Sequence, residues 1–278
     1  FYRLWYSRVR VLAMSEFANT RSTIMPFPEA KMEQSKEWCD KHQCQMVKIA
    51  KTGAVICPQC NKEERLEFED QKAQESFKRN EEMKRLYYLE EFSLMDSELK
   101  NATFDNFKVD TAERQADLDF IKEEAREYIK GAQNNIVLIG DCGVGKSHLA
   151  FAAIKAISDY NKKLATVINV VDLIAKVKED FTLESYYTNL LSGKDKNDKI
   201  EYLVLDDLGT EKTSEWSSNL IYSILNKRTN TIITTNLTPP EIQKRYGKRI
   251  FSRIFKGVGK EHVYQFKNRT DERMNLWN

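Results

Sequence analysis

A chain of 278 residues with 41% hydrophobic content is long enough to bury one or two cores. Its formal net charge of +2 excludes a strong overall basic field, so any nucleic-acid surface has to be local. No apolar run approaches the ~20 residues that a membrane-spanning helix needs. With five cysteines and no recognisable export signal, we expect a cytoplasmic protein whose thiols bind metal or stay free.

The start of the chain divides into an extension and a cysteine-rich segment. Residues 1–25 are aromatic and basic, and we expect them to form an N-terminal extension outside the fold. Residues 26–66 contain two pairs of thiol or imidazole side chains at zinc-ribbon spacing, joined by a β-hairpin pattern, which predicts a zinc-binding module. The predicted Zn²⁺ ligands are Cys39, His42, Cys57 and Cys60.

Other interpretations of the cysteines stay open at this point. Cys44 is a fifth candidate ligand, but it breaks the paired spacing. Chance cysteines of a reduced protein would need no metal at all. A redox Cys-x-x-Cys would need a thioredoxin-like strand and helix, which the sequence around Cys57 does not indicate.

Residues 67–100 are dominated by charges of alternating sign and contain no Gly or Pro. Leu86 and Leu89 contribute to a loose apolar stripe at helical spacing. We therefore predict a helical linker. A solvated face explains most of the charges, and a stripe that binds a partner is the alternative.

Residues 101–278 alternate between apolar runs and helical patterns, which predicts an α/β domain with a parallel sheet flanked by helices. The predicted strands are 136–139, 165–169, 202–207, 231–235 and 263–266. The predicted helices are 112–129, 147–160, 172–181, 183–191 and 215–228.

A glycine-rich turn follows the first of these strands with the spacing G-x-x-x-x-G-K-S. Such a loop points backbone N–H groups at phosphate oxygens, and the helix N-terminus adds its positive end. Lys146 suits the β/γ-phosphates of ATP, and the Ser147 hydroxyl suits Mg²⁺. A tight turn without a ligand is the alternative, which the flanking strand and helix disfavour. The predicted nucleotide contacts are Gly140, Asp141, Cys142, Gly143, Val144, Gly145, Lys146, Ser147, His148 and Asp206.

Polar side chains end two further strands. Asp206 is predicted to hold Mg²⁺ opposite Ser147, and Asp207 to orient or deprotonate the attacking water. A carboxylate pair that caps the following turn is the alternative. Asn236 ends the next strand, and the carboxyl ends of parallel strands face the ligand crevice. Its amide is predicted to orient the same water, which is compatible with a role in an Asx-turn.

Basic residues recur after Asn236. Arg249 and Arg253 are four positions apart, so they share one helical face. An arginine presented to the γ-phosphate of a neighbouring subunit neutralises charge in the transition state. Near the end of the chain, Arg269 and Arg273 are candidates for reaching the phosphates of their own subunit.

Five stretches together resemble a known family, the DnaC/DnaI/IstB group of AAA+ ATPases, from about Leu99 onward. The stretches are Ala102–Phe107, Gly140–Ser147, Leu205–Gly209, Thr234–Asn236 and Arg249–Arg253. The cysteine-rich segment is similar to that of zinc-containing replicative helicase loaders, DnaI and the DnaC-like proteins of phages. IstB-type transposition ATPases lack that module.

The resemblance implies the AAA+ sheet order and ATP-dependent assembly into a homo-oligomer. It implies that Arg253 acts in trans, with Arg249 second, and that Arg273 rather than Arg269 is the C-terminal sensor. A helical insertion within 170–193 would contact single-stranded DNA, although a solvated face is as good an interpretation. The side chains offered for that contact are Lys176, Lys178, Tyr186 and Tyr187.

We therefore expect an ATPase that loads a hexameric replicative helicase onto DNA and binds ATP, the helicase and single-stranded DNA. The main alternative is a transposition helper ATPase of the IstB type. A small-molecule kinase would need a substrate lid rather than a zinc module. A binding adaptor with a dead nucleotide site is disfavoured by the intact Lys146, Ser147 and carboxylate pair.

Overall fold

The computed structural model describes residues 32–50, 52–195 and 198–266. These fall into two compact units that divide between Phe77 and Lys78, here called the N-terminal unit and the C-terminal unit. The predicted extension, residues 1–25, lies outside the described residues. Within the described ranges, none of the helices combines the length and apolarity needed to cross a bilayer.

The N-terminal unit contains a small antiparallel sheet and the first part of a long helix, which ends in the C-terminal unit. Its strands are β1 (Met32–Cys39), β2 (Cys44–Ile49) and β3 (Val55–Ile56), paired in that order. The predicted hairpin corresponds to β2 and β3, and β1 was not predicted. Helix α1 (Pro58–Leu86) begins at a proline, whose missing N–H has no intrahelical partner at that position.

The C-terminal unit contains a five-stranded sheet in the order β5-β6-β7-β4-β8, and every neighbouring pair is parallel. This confirms the predicted α/β class with a parallel sheet flanked by helices. Its elements are α2 (Ala112–Lys130), β4 (Ile136–Ile139), α3 (Lys146–Asn161), β5 (Leu164–Asn169), α4 (Val170–Glu179), α5 (Leu183–Leu191), β6 (Ile200–Leu208), α6 (Glu215–Leu225), β7 (Thr231–Thr235), α7 (Pro239–Ile254) and β8 (Val263–Gln265). Short helical turns cover Tyr87–Glu91, Ser97–Asn101 and Lys260–His262.

Strand β4 is apolar and buried on both faces. In β4, Ile136 and Leu138 pack into one hydrophobic cluster, while Val137 and Ile139 pack into the other. Successive side chains of a strand point to opposite faces, so the two clusters lie on the two sides of the sheet. The central strands are thereby fixed, and their carboxyl ends converge on the loop that follows β4.

The chain just before α2 covers the exposed edge of the sheet. The backbone of Leu94 accepts from Asn169 N at 2.7 Å and donates to Val167 O at 2.9 Å. Ser93 Oγ accepts from Val167 N at 2.9 Å. These bonds satisfy edge groups of β5 that would otherwise face solvent. The compact C-terminal unit therefore includes residues from the predicted 67–100 linker, whose bounds stay a prediction, as does the 101–278 domain.

We predict that Leu89→Ala destabilises the C-terminal unit by about 3 kcal/mol, because Leu89 is fully buried in one of its two clusters. The matched control is Leu66→Ala in α1, where the leucine is 51% exposed, and we expect less than about 0.5 kcal/mol. Chemical denaturation of both variants measures the difference. Equal effects would contradict the placement of Leu89 in this core.

Candidate nucleotide site and metal centre

The glycine-rich loop joins the end of β4 to the start of α3, as the sequence predicts. Gly145 lies at the helix N-terminus with φ +99°, in the left-handed region. A Cβ there would lie 2.7 Å from Cε2 of Phe107, so only glycine fits this packing. No side chain caps the helix at this position, and its first N–H groups are suited to an anion.

Lys146 is the first residue of α3 and is only 5% exposed. Its ammonium donates to Gly140 O at 2.8 Å, to Asp141 O at 2.7 Å and to Asn236 Oδ1 at 2.8 Å. The predicted lysine and the predicted strand-end amide therefore meet directly. Burial lowers the pKa of Lys146, because the charged form has lost solvent.

The two predicted carboxylates lie at a β-bulge in β6. Leu205 pairs with Ile233 and Leu208 with Thr235, so Asp206 and Asp207 together oppose Thr234. Asp207 has φ +56°, a left-handed conformation that aspartate adopts more readily than most residues. The bulge interrupts strict alternation of neighbouring side chains.

Thr234 is bonded to both residues of the bulge. Its hydroxyl donates to Asp206 Oδ1 at 2.7 Å and accepts from Asp207 N at 2.9 Å. Ser147 Oγ donates to the same Asp206 oxygen at 2.7 Å, which brings the predicted magnesium pair together. Asp206 is 4% exposed, and burial, followed by the charge of Asp207, raises its pKa.

The electrostatics of this site suit an anion and a cation bound side by side. Lys146 is a buried cation with its pKa lowered, and Asp206 is a buried anion with its pKa raised. A phosphate group near Lys146 and a divalent cation near Asp206 would each oppose the cost of burying that charge. Oxygen donors from Ser147 and Asp206 are the ligand type that Mg²⁺ prefers.

Two residues of this site were not predicted to take part. Asn169 ends β5, and its Nδ2 donates to Asp207 Oδ2 at 3.4 Å while its Oδ1 accepts from Val171 N at 2.9 Å. Thr234 supports the bulge as described. The strand-end rule that singled out Asn236 applies equally to Asn169. The role of Thr234 depends on strand register, which no local pattern gives.

Other predicted contacts in the loop have identifiable neighbours. His148 Nε2 lies 2.9 Å from Thr103 O, and its ring lies 5.4 Å from that of Phe107. These contacts attach the Ala102–Phe107 stretch to the first turn of α3. Cys142 is an exposed thiol whose Sγ accepts from Asn236 Nδ2 at 3.3 Å.

Arg249 and Arg253 share a face of α7, as their spacing predicts. A kink at Gly247, with φ +74°, sets the last turns of this helix apart from the first ones. Both guanidinium groups lie against Tyr222 of α6, and they lower the pKa of its hydroxyl. Arg269 and Arg273 lie outside the described residues.

In the N-terminal unit, the four predicted zinc ligands come together. Their donor atoms all lie within 4.8 Å of one another. His42 Nδ1 is 3.3 Å from Cys60 Sγ, 3.6 Å from Cys57 Sγ and 3.8 Å from Cys39 Sγ, and Cys39 Sγ is 3.7 Å from Cys60 Sγ. A tetrahedral zinc with Zn–S bonds of about 2.3 Å has sulfur–sulfur edges of about 3.8 Å. The donor set and its spacing therefore fit zinc.

Glu63 contacts this cluster and was not predicted. Its Oε1 lies 3.0 Å from His42 Nε2, and its Oε2 accepts from Lys41 Nζ at 2.6 Å. A carboxylate on the second ring nitrogen would leave Nδ1 as the metal-binding atom and orient the imidazole. Cys44 Sγ lies 3.5 Å from Cys57 Sγ but is not one of the four clustered donors.

Comparison with known proteins identifies the family. The model of the IstB-like ATP binding protein family matches residues 63–254, more than half of the chain. The chain belongs to this family. It is thereby a member of the DnaC/DnaI/IstB group of AAA+ ATPases, as its motifs predict, and an ATP-binding fold is established at the level of the family.

Individual relatives agree with this assignment. The replicative helicase loader DnaC of Escherichia coli (strain K12) is 27% identical over 166 residues, which cover 56% of this chain and 63% of DnaC. DnaC of Shigella flexneri matches with the same values. The chain thus spans less than two thirds of the length of these curated relatives.

Two solved structures share the fold. A crystal structure of the DnaC helicase loader superposes with a TM-score of 0.50 and 25% identity, over 62% of this chain and all of that chain. A crystal structure of DnaI gives a TM-score of 0.50 and 22% identity, over 63% of this chain and 94% of that chain. The strand order of the sheet in the present chain is the AAA+ order that the resemblance implied. The Cys/His cluster lies before the residues that the family model matches.

We predict that this IstB-like protein binds one zinc ion per chain, and that His42→Ala or Cys57→Ser abolishes binding by removing a ligand. Glu63→Gln should keep the stoichiometry but weaken zinc affinity about 10–100-fold, because the histidine loses its orienting carboxylate. The adjacent exposed Glu64→Gln is the matched control, and Cys44→Ser should also retain zinc. Elemental analysis and competition with a chelating dye provide the measurements.

Absence of zinc from protein purified without chelator would contradict the site. Loss of zinc in Cys44→Ser, with retention in His42→Ala, would instead contradict the assignment of the ligands.

Proposed function

We propose that this chain is an ATPase that loads a replicative DNA helicase onto DNA. The ATPase proposal rests on two hydrogen bonds. Ser147 Oγ donates to Asp206, and Lys146 Nζ donates to Asn236. These bonds connect the phosphate loop to the carboxyl ends of β6 and β7. Support for the helicase loader comes from the similarity to DnaC and from the Cys/His module.

The phosphate loop would bind the nucleotide through backbone N–H groups and the buried Lys146. Its ammonium would pair with β/γ-phosphate oxygens, which are strong acceptors for a charged donor. Ser147 and Asp206 would hold Mg²⁺, which when bound neutralises charge on the β- and γ-phosphates. Thr234 would keep the Asp206 carboxylate fixed through the bond it donates.

Asp207 and Asn236 would act on the attacking water. Asp207 is less buried than Asp206. The charges of both carboxylates raise the pKa of Lys146 against the effect of burial, and Asp207 has the larger effect. A carboxylate in this place accepts a hydrogen bond from water and increases its nucleophilicity. The Asn236 amide, fixed by Lys146 and Cys142, would orient the same water.

Hydrolysis would be completed by an arginine of the next subunit in a homo-oligomer formed with ATP. We assign this role to Arg253, with Arg249 second, and the role of C-terminal sensor to Arg273. A guanidinium near a neighbouring γ-phosphate stabilises the charge of the transition state and makes the rate depend on assembly. This links ATP turnover to the state of the oligomer.

Single-stranded DNA would bind along α4 and α5. Tyr186 is 46% exposed and Phe181 is 61% exposed, so both rings are accessible for stacking. Lys178 lies near the end of α4. Tyr187 is 4% exposed and packs in the core, so it is unsuited to the stacking role offered for it from sequence. The acidic residues Glu179, Asp180 and Glu184 limit the strength of any phosphate contact in this segment.

The alternative is a transposition helper, which the name of the matched family model favours. It would use the same ATPase chemistry but would recognise a transposase. The Cys/His module distinguishes the two, because it lies outside the matched residues and is a feature that zinc-containing helicase loaders share.

We predict that Lys146→Ala abolishes ATP binding, because it removes the positive charge on the β/γ-phosphates. Asp207→Ala should bind ATP within about threefold of wild type but lower the turnover number by about 100-fold or more, because the proposed contact of Asp207 is with the attacking water and not with ATP. Titration with a fluorescent ATP analogue and steady-state ATPase rates provide the measurements. Unchanged ATP affinity in Lys146→Ala would contradict the nucleotide site.

We further predict that the full chain co-purifies with the replicative helicase encoded by the same genome. We propose that the segment around the Cys/His cluster binds the helicase. Cys57→Ser should therefore lose this interaction, whereas Cys44→Ser should retain it. Lys146→Ala tests whether binding requires ATP. Binding to a transposase and not to the helicase would favour the transposition helper instead.

A further inference from the structure

Tyr222 of α6 supports both arginines of α7. The Cζ atom of Arg249 lies 3.6 Å from the centroid of the Tyr222 ring, and that of Arg253 lies 5.9 Å from it. Guanidinium groups stack on aromatic faces by dispersion and by attraction to the negative face of the ring. One half-buried ring therefore restrains two long, flexible side chains.

The arginines of the C-terminal unit differ in their partners: Arg228 and Arg245 donate to backbone carbonyl oxygens, and three others pair with carboxylates. Arg85, Arg114 and Arg126 each form an ion pair with a carboxylate, to Asp159, Asp110 and Glu123 respectively. Across residues 32–50, 52–195 and 198–266, no carboxylate forms an ion pair with Arg249 or Arg253, and Arg253 Nε is buried without a hydrogen-bond partner. Two neighbouring guanidinium groups repel each other, and this pair has the Tyr222 ring between α6 and α7 as its support.

The backbone that carries the pair is fixed independently of Tyr222. The buried Asn135 donates from Nδ2 to Arg253 O at 3.0 Å and to Ile254 O at 3.1 Å. Ile250 and Ile254 anchor the same turns in the hydrophobic core. Removal of the Tyr222 ring should therefore release the arginine side chains while the helix stays in place.

We propose that Tyr222 is a positioning residue that orients Arg253, together with Arg249, toward the nucleotide of the neighbouring subunit. This inference rests on the proposed function, in which the arginine acts in trans. The ring limits the rotamers of both side chains before the subunits meet, so less conformational entropy is lost when an arginine reaches the phosphate. The unpaired positive charge is then available to an anion from outside the chain.

A purely structural role for Tyr222 makes different predictions. If the cation–π contacts only hold α6 against α7, Tyr222→Leu should lower thermal stability and affect the pocket of its own subunit. If Tyr222 orients the arginines, Tyr222→Leu should lower turnover at the neighbour's site. ATP affinity and ATP-dependent assembly should then stay within about twofold of wild type.

The test begins with four single variants of the full chain. Tyr222→Leu should lower the turnover number about tenfold, while Tyr222→Phe, which keeps the ring, should stay within about threefold of wild type. Arg253→Ala tests the proposed trans arginine. Tyr160→Leu, at a 71% exposed tyrosine of α3, is the matched control and should not change turnover.

Mixed oligomers then separate the two subunits. Asp207→Ala protein should restore part of the activity of Arg253→Ala protein, because it offers an intact arginine to an intact pocket. The double variant Asp207→Ala, Tyr222→Leu should restore about tenfold less activity, whereas Asp207→Ala, Tyr222→Phe should restore as much as Asp207→Ala alone. The hydrolysing pocket in each mixture belongs to a chain with wild-type Tyr222, so a local structural effect of the leucine does not reach it.

Four outcomes would overturn the proposal. Wild-type turnover in Tyr222→Leu, or equal loss in Tyr222→Leu and Tyr222→Phe, would show that the ring does not orient the arginines. Loss of ATP-dependent assembly in Tyr222→Leu would make Tyr222 a subunit contact instead. Wild-type turnover in Arg253→Ala and in a further variant, Arg249→Ala, would refute the trans arginine itself. That result is a failure of the proposed function and is distinct from the other three outcomes.

Discussion

Strand β6 has two residues, Asp206 and Asp207, where its neighbour β7 has one, Thr234, and the nucleotide site depends on this mismatch. In a regular strand, adjacent carboxylates would point to opposite faces of the sheet. The bulge breaks that alternation, and the left-handed backbone of Asp207 absorbs the change of direction. Thr234 satisfies both sides of the irregularity, because its hydroxyl accepts from Asp207 N and donates to Asp206 Oδ1. The bulge thus holds two like charges beside one lysine.

Local chemistry made the phosphate loop predictable, because glycines, lysine and serine lie within eight consecutive residues. Asp206, Asp207 and Asn236 were predictable from strand ends alone, and the structure brings Asn236 and Asp206 into contact with Lys146 and Ser147 respectively. The bulge was not predictable, because it is a property of the register between two strands that are distant in sequence. Neither was Thr234, whose importance follows from the bulge.

Parts of the fold escaped prediction for related reasons. The sequence of β1 (Met32–Cys39) is mostly polar and charged, so it lacks the apolar alternation that indicates a strand. This segment is a strand because it pairs with β2. The predicted linker reads as a solvated helix, which describes much of α1. Leu89 and Tyr88 are nevertheless buried, because the chain after α1 closes the edge of β5. Burial of that kind depends on a partner strand rather than on local composition.

Helix α6 lies between two surfaces that the proposed function uses. Near its start, Trp216 Nε1 donates to Glu184 Oε2 of α5 at 2.9 Å, and the Trp216 ring meets Phe181 at 5.5 Å. Six residues later, Tyr222 supports the two arginines of α7. A packed helix that contacts two surfaces is one physical route for coupling between them. DNA bound along α4 and α5 would therefore act on the same helix that orients the arginines.

The N-terminal unit has little apolar core, so we expect its folding to depend on the proposed zinc site. Within residues 33–50 and 52–77, the buried side chains are those of Cys39 and Cys57, and both belong to the Cys/His cluster. Because apolar burial is the main favourable term in folding, a sheet of this size with so little of it is marginal without a ligand. Zinc binding to three thiolates and an imidazole would supply that free energy directly. The C-terminal unit has two hydrophobic clusters of its own, so loss of zinc should unfold the first unit and leave the second intact.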